Sequence, residues 1–221
     1  SGKAPVIEVP KKVEKKMTLS ELKKSKNEKR YCMTTGFRNF DTIIGYKVYD
    51  EKTGELVRTN RGLLSGSKVT FIGVSHTGKS SLAVAMAVKC LQPWIMKNDT
   101  RAKIYNFDTE VGVNGERFKK LSKLTYQQMH DHVVNMEEVS VDAIKKCIMD
   151  IVNEKSSKEY EMERTTNHSG QEVLMHAPTI VLIDSISGII TEKMADLKND
   201  TTNASYMQIA GELDRFMRQY G

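Results

Sequence analysis

The stretch GVSHTGKSS at residues 73–81 constrains the fold of this chain more than any other part of its sequence. It fits the pattern Gly-x-x-x-x-Gly-Lys-Ser, whose fixed positions are Gly73, Gly78, Lys79 and Ser80. The apolar run KVTFIG (68–73) predicts a strand before the loop, and the spaced apolar residues after the loop predict a helix. A glycine-rich turn between a strand and a helix directs backbone N–H groups inward, and the positive end of the helix dipole strengthens this anion site. The pattern therefore predicts a phosphate-binding loop.

The side chains of this loop suit the triphosphate of a nucleotide. Glycine is expected where a Cβ would block the approach of a ligand or strain left-handed dihedral angles. Lys79 is expected to bridge the β- and γ-phosphates, and Ser80 to coordinate Mg²⁺ through its hydroxyl group. The predicted nucleotide-binding residues are Gly73, Val74, Ser75, His76, Thr77, Gly78, Lys79, Ser80 and Ser81.

Three further apolar runs, rich in β-branched and aromatic residues, predict strands. They are KIYNFD (103–108), HVVNM (132–136) and TIVLID (179–184). Helical patterns lie between them, including one over about 140–154 in which isoleucine recurs at positions i, i+4 and i+7. Strands that alternate with helices predict an α/β fold with a mainly parallel sheet covered by helices on both faces.

Two other stretches predict surface structure. YKVYDEKTGELVRT (46–59) predicts a β-hairpin around its Lys-Thr-Gly turn, and the polar stretch 153–176 predicts an insertion before the last strand. His130 and His132 have the spacing H-x-H, but no third ligand accompanies them, which favours a lead into the strand over a metal site. Trp94, the single tryptophan, is predicted to be a packing anchor after the helix of the glycine loop.

Two acidic residues are candidates for the same nucleotide site. Asp184 ends the run TIVLID, a position from which a carboxylate can hold a Mg²⁺-bound water beside Ser80. Glu110 comes two residues after the strand-terminal Asp108, at the end of a parallel strand, where ligands bind in open α/β sheets. Glu110 is therefore the predicted catalytic residue, because it can polarise the water that attacks the γ-phosphate, and Lys79 is predicted to act with it.

The charge of the chain is concentrated in its first 30 residues. Residues 1–30 contain ten Lys or Arg and four Asp or Glu, a net charge of +6, whereas the remaining 191 residues contain 24 of each. A basic arm of this kind can bind nucleic acid, can pack on an acidic neighbouring surface, or can be a solvated tail. Thr18 and Glu21 have the spacing of a capping box and predict a short helix over about 19–27.

Other features of the composition concern location. The apolar runs are too short to cross a bilayer, and no signal-peptide pattern opens the chain. The three cysteines, at positions 32, 90 and 147, lie far apart without the spacing of metal ligands and are predicted to be reduced thiols. These features predict an intracellular, cytoplasmic protein with no membrane partner.

Residues 34–221 resemble the ATPase core of the RecA family of strand-exchange proteins. TTGFRNFDTIIG resembles the family's lead-in, YNFDTEVG resembles the phrase that carries the catalytic glutamate, and VLIDSISGI resembles the second nucleotide motif. The order of these phrases around the glycine loop is more specific than the loop alone. The resemblance implies a RecA-like P-loop ATPase core over 31–221, with 1–30 as an N-terminal arm that contacts a neighbouring subunit. The hairpin and the insertion suggest a divergent member, closest to viral recombinases.

The resemblance also implies cofactors and partners. It implies an enzyme that uses ATP and Mg²⁺, assembles on single-stranded DNA by self-association into a helical filament, and promotes homologous pairing and strand exchange. The segment 191–205 stands where the family has its first DNA-contacting loop, so Lys193 and Lys198 are the implied DNA-binding residues. The family's second DNA loop would lie beyond residue 221, and the core is therefore expected to lack its C-terminal part. For a viral member the expected location is the host cytoplasm or nucleoid.

Two other functions stay open on the sequence alone. A hexameric replicative helicase of the same broad ATPase class would form a ring, although such helicases usually carry the glutamate in a more apolar phrase than Asp-Thr-Glu. A recombinase-like regulator would bind nucleotide without hydrolysing it.

Overall fold

The computed structural model describes residues 30–50, 52–74, 76–109, 115–157, 159–167, 169–184 and residue 189. Its helices are α1 (Arg38–Ile43), α2 (Lys79–Met96), α3 (Gly115–Ser122), α4 (Tyr126–His132) and α5 (Val141–Ser156). Its strands are β1 (Cys32–Met33), β2 (Tyr46–Tyr49), β3 (Leu56–Asn60), β4 (Leu63–Leu64), β5 (Lys103–Asp108), β6 (Val133–Met136), β7 (Glu163–Thr166), β8 (Glu172–Met175) and β9 (Thr179–Asp184). The helix predicted at 19–27 and the segment 191–205 lie outside these residues. Within them, no helix is long and apolar enough to span a bilayer.

Three parallel strands form the central sheet, in the order β6–β5–β9. β5 pairs with β9 along its whole length and with β6 from Ile104 to Phe107. The strands predicted at 103–108 and 179–184 are confirmed at both ends. The third strand begins at Val133 rather than 132, because His132 is still the last residue of α4.

Helices cover both faces of this sheet, as the alternating pattern predicted. On one face α2 contributes the fully buried Leu91 to a core cluster that contains Ile104 of β5. On the other face Ile144 of α5 packs with Phe107 of β5, and both are fully buried. Successive side chains of a strand point to opposite faces, so the even-numbered positions of β5 and β9 face α2 and the odd-numbered positions face α5. The structure is therefore a mixed α/β fold with a parallel sheet between helices.

Side-chain caps fix where two of these helices begin. Ser140 accepts a hydrogen bond from the backbone N–H of Ala143 at 3.0 Å and starts α5, which extends two residues beyond the predicted end. Thr125 and Gln128 form a reciprocal capping box at the start of α4. Both caps satisfy backbone donors that a helix start otherwise leaves without partners.

The strand predicted at 68–73 is wrong. This segment belongs to no strand, and among the described residues β9 pairs with β5 alone. The side chain of Phe71 instead lies between α1 and the start of α2. There it lines a groove of about 490 Å³ together with Phe37, Arg38, Asn39, Phe40, Leu82 and Met86. Phe71 is partly buried there, whereas Val69 and Ile72 of the same segment are exposed. Period-two alternation alone does not distinguish such a segment from a paired strand.

Two antiparallel hairpins accompany the parallel sheet. β2 pairs with β3, which confirms the predicted hairpin, and the Asp50 carboxylate accepts hydrogen bonds from two backbone N–H groups of its turn. β7 pairs with β8 inside the predicted insertion at 153–176. The indole N–H of Trp94 donates to the Glu163 carboxylate, so this insertion is fastened to the end of α2. Trp94 also packs against the core cluster of that helix, as predicted for an anchor, but it lies within α2 and not after it as predicted.

The lead-in phrase TTGFRNFD folds around the buried side chain of Asp41, which is 5% exposed. Its carboxylate accepts hydrogen bonds from the Thr34 hydroxyl at 2.6 Å, the Thr35 backbone N–H at 2.9 Å and the Thr35 hydroxyl at 2.5 Å. Its backbone carbonyl accepts from the N–H of Gly62 at 2.9 Å. Asp41 therefore holds the first strand, α1 and the turn before β4 together.

Candidate nucleotide-binding site

The glycine loop leads directly into α2. Gly78 is the residue before the helix and has φ +84° and ψ +15°, and His76 also has a positive φ of 64°. A Cβ built on Gly78 meets no atom within 4 Å. Glycine is therefore required at this position for its dihedral angles and not because of crowding. Two left-handed residues in one short loop turn the chain sharply before the first free N–H groups of the helix.

The side chains of the loop are held by the carbonyl group of Val74. The Lys79 ammonium donates to this oxygen at 2.7 Å, and the Thr77 hydroxyl donates to it at 2.8 Å. Lys79 is thus folded back over its own loop, where an anion seated on the loop would meet it. A single hydrogen bond to an exposed carbonyl can be exchanged for a bond to phosphate at little cost.

The two strand-terminal carboxylates lie side by side. Asp108 of β5 is directly opposite Asp184 of β9 in the parallel register. Both have even numbers, so the pleat places them on the face of the sheet that α2 covers. The backbone N–H of Thr109 donates to the carbonyl oxygen of Asp184 at 2.7 Å, which keeps the two chains together as they leave the sheet.

The direction of α2 relates the glycine loop to these carboxylates. Only residues 97–102 separate the end of α2 from the start of β5, and the N–H of Asp99 bonds back to the carbonyl oxygen of Trp94 at 3.0 Å. The end of α2 is thus close to the amino ends of the strands. Its 18 residues span about 27 Å, which exceeds the roughly 20 Å length of the six-residue strands that it covers. The start of α2, with Lys79 and Ser80, therefore points towards the carboxyl edge of the sheet, where Asp184 lies.

The side chains near the glycine loop can be compared with the ligands that a magnesium-bound nucleotide requires. Hydroxyl and carboxylate oxygens are the protein ligands that Mg²⁺ prefers, directly or through water, and phosphate oxygens complete its octahedron. Ser80 and Asp184 supply such oxygens, and Lys79 supplies a cation for the phosphates. The donor set therefore fits the predicted group. Among the described residues no three His, Cys, Asp or Glu side chains form a metal-binding cluster.

Several predicted site residues lie outside the described part of the chain. They are Ser75, Glu110, Lys193 and Lys198. The roles of these four residues stay predictions. The described chain approaches Glu110 as far as Thr109, which is already bonded to Asp184.

His132 has a structural role. Its side chain is 1% exposed, and its Nδ1 lies 2.9 Å from the carbonyl oxygen of Ala102, to which a protonated Nδ1 donates. His130, in contrast, is exposed and contacts Asp131. One histidine of the pair is therefore part of the core, and the other lies at the surface.

Reasoning from the sequence missed one residue of the candidate site, namely Asp108. It served only to locate Glu110, two residues further on. The signal was present in the sequence, because KIYNFD and TIVLID both have six residues and end in aspartate. Equal strands that pair in parallel without a shift bring their last residues together.

Comparisons with models of known protein families, with curated proteins and with solved structures found no match.

Proposed function

We propose that this chain is an ATP- and Mg²⁺-dependent, DNA-stimulated ATPase with a RecA-like core, which assembles on single-stranded DNA and promotes homologous pairing. The observation that carries the proposal is the parallel register that sets Asp184 beside Asp108 on the face covered by the glycine-loop helix. It supports one site made from separate segments of the chain. The resemblance of the ordered phrases to the RecA family supports the DNA-related part.

In this proposal each side chain has a distinct task. The N–H groups at the start of α2 and the Lys79 ammonium bind the phosphates, and this binding replaces the bond of Lys79 to Val74. Ser80 and Asp184 would hold Mg²⁺, and the ion would supply positive charge to the phosphates of the nucleotide. Glu110 orients the attacking water and accepts its proton.

The test is ATP hydrolysis measured with and without single-stranded DNA. The proposal expects Mg²⁺-dependent turnover that rises when DNA is added. Glu110→Gln should lower turnover about a hundredfold or more while nucleotide binding persists, because only the base is lost. Asp108→Asn is a matched removal of one carboxylate charge at the same strand end, and it should leave more activity than Glu110→Gln.

Three outcomes would contradict parts of the proposal. Hydrolysis that is indifferent to DNA opposes the recombinase reading. Ring particles with directional unwinding would favour the helicase alternative. Nucleotide binding with equally inert wild type and Glu110→Gln would favour a regulator without turnover.

A further inference from the structure

A strongly basic surface lies on α3 and the turn after it, at residues 115–126. We call it the α3 basic surface. Its cationic residues are Arg117, Lys119, Lys120 and Lys123, and its single acidic residue is Glu116. The net charge of +3 over this short stretch stands out, because residues 31–221 together contain as many acidic as basic residues.

The fold fixes which side of α3 faces solvent. Phe118 and Ser122 are buried against the rest of the domain, and Phe118 is fully buried in the cluster that also contains Leu91 of α2. Lys120 and Lys123 are exposed on the opposite side. The cations are therefore presented outwards by a helix that cannot rotate without exposing Phe118.

An aromatic ring stands among these cations. Tyr126 is 67% exposed, and the Lys119 ammonium lies 2.9 Å from the centroid of its ring. The Tyr126 hydroxyl donates to the Glu116 carboxylate at 3.3 Å, which engages the only acidic residue of the surface. A cavity of about 380 Å³, lined also by Gly115 and Met129, lies beside the ring. The ring is thus held in place while much of it stays open to solvent.

We propose that the α3 basic surface binds single-stranded nucleic acid, with its cations on the phosphates and Tyr126 stacked on a base. Cations alone would suit any polyanion. A fixed and exposed aromatic ring among them favours a single strand, because unpaired bases offer ring faces that an acidic polypeptide lacks. The inference uses neither Lys79 nor Asp184, and it holds whether or not the chain hydrolyses ATP.

The first test compares two triple variants of the full chain. K119Q/K120Q/K123Q removes three charges from the α3 basic surface, and K52Q/K97Q/K146Q removes three from exposed positions elsewhere. Binding of a fluorescein-labelled oligothymidylate is measured by anisotropy, without nucleotide, over a series of salt concentrations. Each lost phosphate contact lowers the salt slope by about 0.7, so the first variant should lose about 2 from the slope of log K against log salt. The second variant should keep the wild-type slope, and equal slopes for both variants would overturn the proposal.

The second test addresses the ring. Tyr126→Ala should weaken oligothymidylate binding about tenfold, whereas Tyr126→Phe should bind like wild type because the ring face is kept. A Tyr126→Ala protein that binds like wild type would refute the stacking and with it the choice of nucleic acid.

Two further measurements keep the proposal open to refutation. K119R/K120R/K123R keeps all three charges and should keep the wild-type salt slope, which separates a charge effect from a folding defect. Polyglutamate is used as a competing polyanion probe. If K119Q/K120Q/K123Q loses polyglutamate binding but keeps oligothymidylate binding, the surface serves an acidic protein and the proposal is wrong.

Discussion

Replacing Asp41 with alanine should destabilise the protein by about 4 kcal/mol, a large part of the 5–15 kcal/mol typical of a domain. The magnitude follows from the groups that lose their partner. Thr35 is fully buried, and both its backbone N–H and its hydroxyl group donate to the Asp41 carboxylate. An unsatisfied buried donor costs about 1–3 kcal/mol, so these two groups account for most of the loss. The third donor, Thr34, is exposed and can turn to water.

The assay is urea unfolding followed by circular dichroism, with Asp41→Asn and Thr34→Ala as matched variants. Asp41→Asn keeps an oxygen for Thr35 and should lose clearly less than Asp41→Ala. Thr34→Ala should lose about 1 kcal/mol or less, since its hydroxyl is exposed. A loss below about 1 kcal/mol for Asp41→Ala would refute the assigned role of the cluster.

The same carboxylate predicts a pH dependence. Burial alone would raise the pKa of Asp41, but hydrogen bonds from Thr34, Thr35 and Gly36 together outweigh it and hold the pKa below its ordinary value. The folded state then binds its proton less readily than the unfolded chain, whose aspartate pKa is about 3.9. The contribution of Asp41 is complete above that pH and is lost as the pH falls through the folded pKa. The stability difference between wild type and Asp41→Asn should therefore shrink in acid.

Three other predictions concern single residues. Gly78→Ala should cost about 1–2 kcal/mol in urea unfolding, because φ of +84° strains an alanine although no atom would clash with its Cβ; an unchanged midpoint would contradict this. Burial lowers the pKa of Lys155 to about 8, so the unfolded chain binds more protons between that pH and about 10.5, and wild-type stability should rise relative to Lys155→Met over this range. A stability difference between wild type and Lys155→Met that does not change with pH would show that burial does not lower the pKa of Lys155. Glu163→Ala should speed limited proteolysis within the β7–β8 hairpin by removing the acceptor of the Trp94 indole, whereas Glu163→Gln keeps an acceptor oxygen and should resist like wild type.

The sequence was sufficient to predict the three strands that form the parallel sheet, because they are short apolar runs with clear ends. KIYNFD and TIVLID became β5 and β9 without a shift, and the isoleucines of α5 face the sheet as their spacing predicted. Each of these elements buries apolar side chains against the neighbouring layer, so the local sequence pattern and the tertiary packing agree.

The errors fall where the partner of a segment is distant in sequence. The run 68–73 has the composition of a strand, yet it pairs with no strand, and only Phe71 is partly buried, in a groove beside α1 and α2. No local pattern reveals that outcome. The exposed side chains of the hairpin within 153–176 are polar except for Leu174, and the tie of this hairpin to α2 depends on Trp94, about 70 residues earlier. The carboxylate pair of Asp108 and Asp184 required the register of two strands that are far apart in the chain.

The most direct measurement of the central claim is ATP binding by calorimetry, with and without Mg²⁺, for wild type, Lys79→Ala and Asp184→Asn. If the glycine loop and Asp184 hold one magnesium-nucleotide, Mg²⁺ tightens binding to wild type, Asp184→Asn loses most of that gain, and Lys79→Ala is weak under both conditions. Asp184→Asn with the same gain from Mg²⁺ as wild type would show that Asp184 and the glycine loop do not share a site.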